Sequence, residues 1–146
     1  MTTTTLDSYA ASTATAARAA SSPWKRRIGW GLSGLAILFF VFDAGAKLAM
    51  VDEVVKGSAE LGYPVETILP MGIILLVSTL VYAIPRTAVI GAVLLTGYLG
   101  GAIATHLRVL HPLFSHTLFP IYFAVILWGG LYLRDSRVRA LIRPQA

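Results

Sequence analysis

The chain has 146 residues, a length suited to one domain, and is 56% hydrophobic but only 13% charged, with a mean hydropathy of +0.73. Soluble domains carry about 25% charged residues on average, so a soluble globule is excluded and a membrane bundle is the expected class. There is no cysteine, which excludes disulfides, thiol redox chemistry and thiolate metal ligands.

Residues 1–22 are mostly Thr, Ala and Ser, with no hydrophobic period and no apolar core of a signal peptide, and read as a disordered tail. Pro23-Trp24-Lys25-Arg26-Arg27 then combines an interfacial tryptophan with a cationic flank. The membrane domain covers 23–142, with spans expected at about 28–50, 67–84, 87–108 and 118–133, and a short tail at 143–146. A polar connection between the first two spans allows a surface helix over Val51–Leu61. Pro70 falls in the first turn of the second span, where a missing N–H is tolerated. Pro85 lies just past that span's end and enforces a short turn into the third. The fourth span is the shortest and is expected to borrow Leu113 and Phe114 at its start. From Ala88 to Arg108 is roughly 31 Å of helix at 1.5 Å per residue, close to the hydrocarbon thickness of a bilayer.

The expected fold is all-α, a four-helix transmembrane bundle with both termini on one side. The charges assign that side. Arg18, Lys25, Arg26, Arg27, Arg86, Arg134, Arg137, Arg139 and Arg143 fall on it, against Lys47, Lys56 and Arg108 on the other. Nine against three is a positive-inside bias, so both termini are expected in the cytoplasm of a bacterial inner-membrane type of cell membrane. The net charge of +5 therefore reads as topology and attraction to anionic lipid, not as a nucleic-acid surface.

Intramembrane charges mark candidate sites. Asp43 and Lys47 stand four apart, acid before base, and can pair on one helix face. One reading is an intrahelical pair with Lys47 snorkelling outward; the other is a polar pocket. His106 and Arg108 end at the same depth as Asp43 but face nearly opposite ways, two residues being about 200° of helix. Arg108 shares a face with Gly97 and Gly101, His106 with Tyr98 and Ala102. His106 is favoured to meet Asp43, since Arg108 is close enough to the end to snorkel. With Glu66, these residues form the candidate outer-face pocket: Asp43, Lys47, Glu66, His106 and Arg108.

His106, His111 and His116 raise the question of a metal. Five residues turn a helix by about 140° and Pro112 interrupts any shared helix, so no metal site is expected. Gly97 and Gly101 form a small-xxx-small pair, expected to pack helices within the bundle or to join two copies of the chain. Trp128 and Tyr132 read as an aromatic belt. No phosphate loop, dinucleotide fingerprint, nucleophile elbow or HExxH motif occurs, so no self-contained catalytic motif is present and no catalytic residue is assigned.

Leu61-Gly62-Tyr63-Pro64, Tyr82-Ala83-Ile84-Pro85-Arg86-Thr87-Ala88, Leu95 through Ala102, Thr105-His106, Arg108 and Trp128 through Asp135, with the Asp43–Lys47 pair, resemble the DoxX-like family of small bacterial membrane proteins. The resemblance covers about Ile28–Ile142. It implies a compact four-helix membrane bundle. The family's namesake is a small subunit of a thiosulfate:quinone oxidoreductase, and relatives accompany other redox or envelope systems. The expected function is thus a non-catalytic membrane subunit or scaffold associated with a redox system. The alternative is a binder or carrier of a small molecule, such as a quinone, in the outer pocket. No cofactor is required by the sequence, a quinone being the one candidate. The expected partners are the lipid bilayer, a protein of a membrane complex and a second copy of the chain; nucleic acid is not among them.

Overall fold

The computed structural model describes residues 23–142. The expected tails at 1–22 and 143–146 lie outside the described residues. The elements are α1 (Pro23–Leu48), α2 (Asp52–Glu60), a 3-10 turn (Val65–Thr67), α3 (Ile68–Ala83), α4 (Ala88–Arg108), a π-type turn (Leu113–Thr117), α5 (Phe119–Arg134) and α6 (Ser136–Ile142), with no strand among the described residues.

Four helical segments are long and apolar enough to cross a membrane: Pro23–Leu48, Val65–Ala83, Ala88–Arg108 and Leu113–Arg134. The last of these does borrow Leu113 and Phe114, through the π-type turn. Helix α1 starts five residues before the expected span, so Trp24–Arg27 is helical too. Pro23 opens it, where its fixed φ suits a first turn.

The buried stripes set the packing. On α1 they run Gly29, Ser33, Ala36, Phe40 and Ala44. On α3 the buried set includes Ile68, Gly72, Leu75, Thr79 and Tyr82, and on α4 Ala88, Ala92, Leu95 and Leu99. Alternating steps of three and four keep one seam toward the neighbours, as in left-handed bundles. Helix α1 packs on α3 and α5, α3 on α4, and α4 on α5, closing a ring of four.

The bundle has an apolar core, with a few hydroxyls inside it, and an outer surface that is also apolar. Ser33, Ser78, Thr79, Thr105 and Thr117 are buried, while Leu38, Phe42, Val93, Phe114 and Val125 are exposed. Within the helices the buried hydroxyls return to the backbone: Ser78 Oγ donates to Ile74 O and Thr79 Oγ1 to Leu75 O, both at 2.7 Å. The exposed apolar faces suit lipid.

Tyr82 ties one end together. Its hydroxyl donates to Leu127 O at 2.9 Å, so the Ser33 hydroxyl at 2.9 Å is the donor to it. One fully buried side chain on α3 thereby joins α1 and α5. Gly91 of α4 presses on the backbone of Tyr82. Where α1 crosses α5, a Cβ on Gly29 would lie 2.7 Å from Arg134 N, and one on Gly130 would lie 2.7 Å from Ser33 Oγ. These are the glycines that let helices approach. Gly97 and Gly101, expected in that role, are exposed, and a Cβ on either would meet nothing within 4 Å. The pairing of small residues fixes no partner face, and here that face opens onto a cavity. Trp128 is likewise more than a belt residue, since its indole Nε1 donates to Thr96 Oγ1 at 2.9 Å and ties α5 to α4.

Candidate functional site

A cavity of about 630 Å³ opens at the end of the bundle away from Tyr82. Helices α1, α3, α4 and α5 and the π-type turn wall it, and α2 with the Leu61–Tyr63 loop covers it. Its floor is aromatic. Phe39 stacks on Phe123 with ring centroids 3.8 Å apart, and Phe119 lies edge-on to Phe39 at 5.6 Å and tilted against Phe123 at 5.1 Å. Phe40 and Tyr98 complete that surface.

The rim is polar. Lys47 Nζ donates to Asp43 Oδ1 as the expected i,i+4 pair. The lysine does not snorkel outward: its side chain is 13% exposed against 31% for Asp43. Gly72 of α3 lies against the Lys47 stem and leaves the space it occupies, since a Cβ there would sit 2.9 Å from Lys47 Cβ. Among the described residues this is the sole ion pair. Tyr63 reaches over the rim from the loop and meets Thr105 Oγ1 at 2.6 Å. Thr105 donates to Gly101 O at 2.9 Å, so the tyrosine is the donor to Thr105 and keeps its lone pairs free.

Three histidines gather at the same rim. Helix α4 ends with Leu110 at φ 54°, and its closing bonds run Leu110 N–H to Leu107 O and His111 N–H to His106 O. This is a Schellman-type stop, which folds the residue after the left-handed position back over the last turn. It sets His106 Nδ1 3.0 Å from His111 Nδ1, so one ring donates and the other accepts. The His116 ring lies 5.2 Å from that of His111, edge-on, with its Nδ1 at 2.7 Å from Ser115 Oγ. Among the described residues no set of three His, Asp or Glu side chains is arranged to hold a metal ion.

Of the five expected pocket residues, Asp43, Lys47 and His106 line the cavity, and Glu66 and Arg108 do not. His106, not Arg108, is the one on the cavity side with Asp43. Arg108 is exposed at the end of α4 and does not enter. Its Nη2 donates to Leu61 O, beside Gly62, whose φ of 77° makes the tight turn there. The cation is a strut for the loop that carries Tyr63. Glu66 sits exposed in the 3-10 turn, and Glu60 at the end of α2 is the acid on the cavity wall. Sequence reasoning missed Tyr63, Tyr98, His111, His116 and the phenylalanine floor. The signals present were Phe119 and Phe123 at i,i+4 and the even spacing of the histidines across Pro112.

Chemically the arrangement offers a stacking surface for a flat ring, donors at the Lys47 ammonium and a histidine N–H, and acceptors at Asp43 and Tyr63. The sequence model of the DoxX-like family matches residues 31–130, a stretch that includes Asp43, Lys47, the aromatic floor and all three histidines. No curated protein and no solved structure matches the chain.

Proposed function

The chain belongs to the DoxX-like family, and from that premise we propose that its cavity holds a small amphipathic molecule with a flat ring, a quinone being the chemical type. The observation that carries this reading is the cavity itself. Its volume of about 630 Å³ falls in the range of small-molecule sites, roughly 300–1,000 Å³. The stacked Phe39–Phe123 floor suits an aromatic face. Lys47 and the histidine pair stand where ring carbonyls need donors. Gly97, Gly101 and Ala102, which line the wall with little or no side chain, keep the space open. A titration of short-chain quinones into nanodisc-held protein tests it. At Gly101 a Cβ would meet nothing within 4 Å, so Gly101→Leu has room to start its side chain into the cavity and is expected to weaken binding at least about tenfold, the equivalent of ~1.4 kcal/mol. Unchanged binding by Gly101→Leu and by Phe123→Ala sinks the reading.

The protein is also proposed as a non-catalytic subunit that presents this ligand to a redox partner. Helix α2, above the cavity, buries none of its residues, which suits a surface left for another protein. Purification from native membranes with no stoichiometric partner counts against that role. The positive-inside bias supports placing both termini in the cytoplasm and the cavity at the outer face of a bacterial inner membrane. A reporter inserted near Ser58 is then external, and the opposite result reverses the topology.

A further inference from the structure

The other end of the bundle carries a second cavity, of about 250 Å³, lined by Trp30, Arg86, Arg134, Asp135, Ser136 and Arg137 among others. It forms where the α3–α4 turn and the α5–α6 junction meet α1. We infer that this cavity is a binding site for a phosphate anion, carried by the headgroup of an acidic phospholipid.

Three guanidinium groups border it, Arg86 from the α3–α4 turn and Arg134 and Arg137 from the α5–α6 junction, against one carboxylate. That carboxylate is engaged locally, since Asp135 Oδ1 accepts the Arg137 backbone N–H at 2.8 Å as α6 begins. None of the three arginines has an acidic side chain within ion-pair distance among the described residues, where the sole ion pair is Asp43–Lys47. Unpaired cations clustered around one hollow repel each other unless an anion joins them.

Arg134 is held in place for such a partner. Its guanidinium lies 4.7 Å from the Trp30 ring and 4.8 Å from the Tyr82 ring, and Nη2 donates to Tyr82 O at 3.1 Å. Stacking on aromatic faces fixes the plane of the fork. Nη1 is buried and has no acceptor, an arrangement that leaves a charged donor unsatisfied. Arg86 and Arg137 are exposed and free to swing onto a ligand. Guanidinium forks match phosphate oxygens bidentately. The cavity lies at the helix ends, which is the level of lipid headgroups, and basic pockets between spanning helices are known to take acidic lipids. Arg139 is already committed, since its Nη1 caps Tyr132 O and Leu133 O at 3.1 and 2.9 Å.

The test is native mass spectrometry of the full chain released from nanodiscs of phosphatidylcholine with a minority of phosphatidylglycerol. The wild type is expected to retain one phosphatidylglycerol. Each charge-assisted hydrogen bond lost from the phosphate costs roughly tenfold, so the Arg86→Gln/Arg137→Gln variant is expected to lose retention about 100-fold. Both positions are exposed, and an unchanged melting temperature confirms that the variant folds. Lys25→Gln/Arg26→Gln removes the same charge at the same end, off the cavity, and is expected to retain the lipid. A second arm uses phosphatidylcholine alone with inorganic phosphate. A phosphate adduct there, with no lipid retained in the first arm, keeps the anion site and assigns it to a soluble phosphate. Loss in the Lys25/Arg26 control equal to that in the arginine variant, or retention of neither anion, overturns the site.

Discussion

The two ends of the bundle solve opposite problems. At the arginine end, Gly29, Gly91 and Gly130 let backbones touch, and Tyr82 links three helices through one hydroxyl. At the histidine end, Gly97 and Gly101 face open space and the helices stand apart around a cavity. The same residue type closes one end and opens the other. The difference teaches that a glycine-rich membrane helix has no single role: what matters is whether a neighbour's backbone occupies the space a side chain would take.

Substitutions sharpen that contrast, and the largest effect is expected at Gly91. A Cβ there runs into the Tyr82 backbone, which cannot yield as a side-chain tip can, so Gly91→Ala should destabilise by about 3 kcal/mol. Gly97→Ala, on the same helix, should be neutral or stabilise by about 0.5–1 kcal/mol, since an exposed helical glycine is entropically unfavourable. Thermal melts of both variants in one detergent check the pair. Equal effects would erase the distinction between the ends.

Tyr82→Phe removes the hydroxyl that joins α1 and α5 and strands the buried Ser33 hydroxyl, while Leu127 O keeps its bond within α5. The expected loss is about 1–3 kcal/mol, read in the same melts, with Ser33→Ala costing less because the tyrosine keeps Leu127. At the histidine end, Asp43→Asn leaves Lys47 without its counter-charge. Because Asp43 is partly exposed, the loss should be about 1–2 kcal/mol, below the 3–5 kcal/mol typical of a fully buried pair, and Lys47→Met in the same chain should recover most of it. A double-mutant cycle measures that coupling. A gain rather than a loss is expected at Leu110, which adopts φ 54°. Leu110→Gly relieves the left-handed strain, for a gain of about 1 kcal/mol in stability, and should leave the His106–His111 contact intact.

Much of the architecture was legible in the sequence. Long apolar stretches, Pro85 after the second span and the Asp43–Lys47 spacing each follow from local rules. The pocket was half legible. Intramembrane charge and shared depth pointed to Asp43, Lys47 and His106. Arg108 stood at the right depth, but its direction depends on a loop carbonyl 47 positions earlier in the chain. His111 and His116 were set aside on helical geometry, whereas the chain leaves the helix at Leu110 and doubles back. A left-handed leucine carries no sequence signal, because the residue expected at such a stop is glycine. That Gly97 packs against no helix of its own bundle was hidden for a related reason: periodicity says which residues share a face, not what stands opposite it.

The most direct test of the account is mild extraction of the protein from its native membranes, with mass spectrometry of every small molecule that stays bound, for the wild type and Gly101→Leu side by side. The account predicts a ring-bearing amphipathic molecule of quinone type at one per chain in the wild type, lost from Gly101→Leu while both proteins remain folded. A wild-type protein that retains no such molecule, or a Gly101→Leu protein that retains it undiminished, would contradict the claim that the cavity is a binding site.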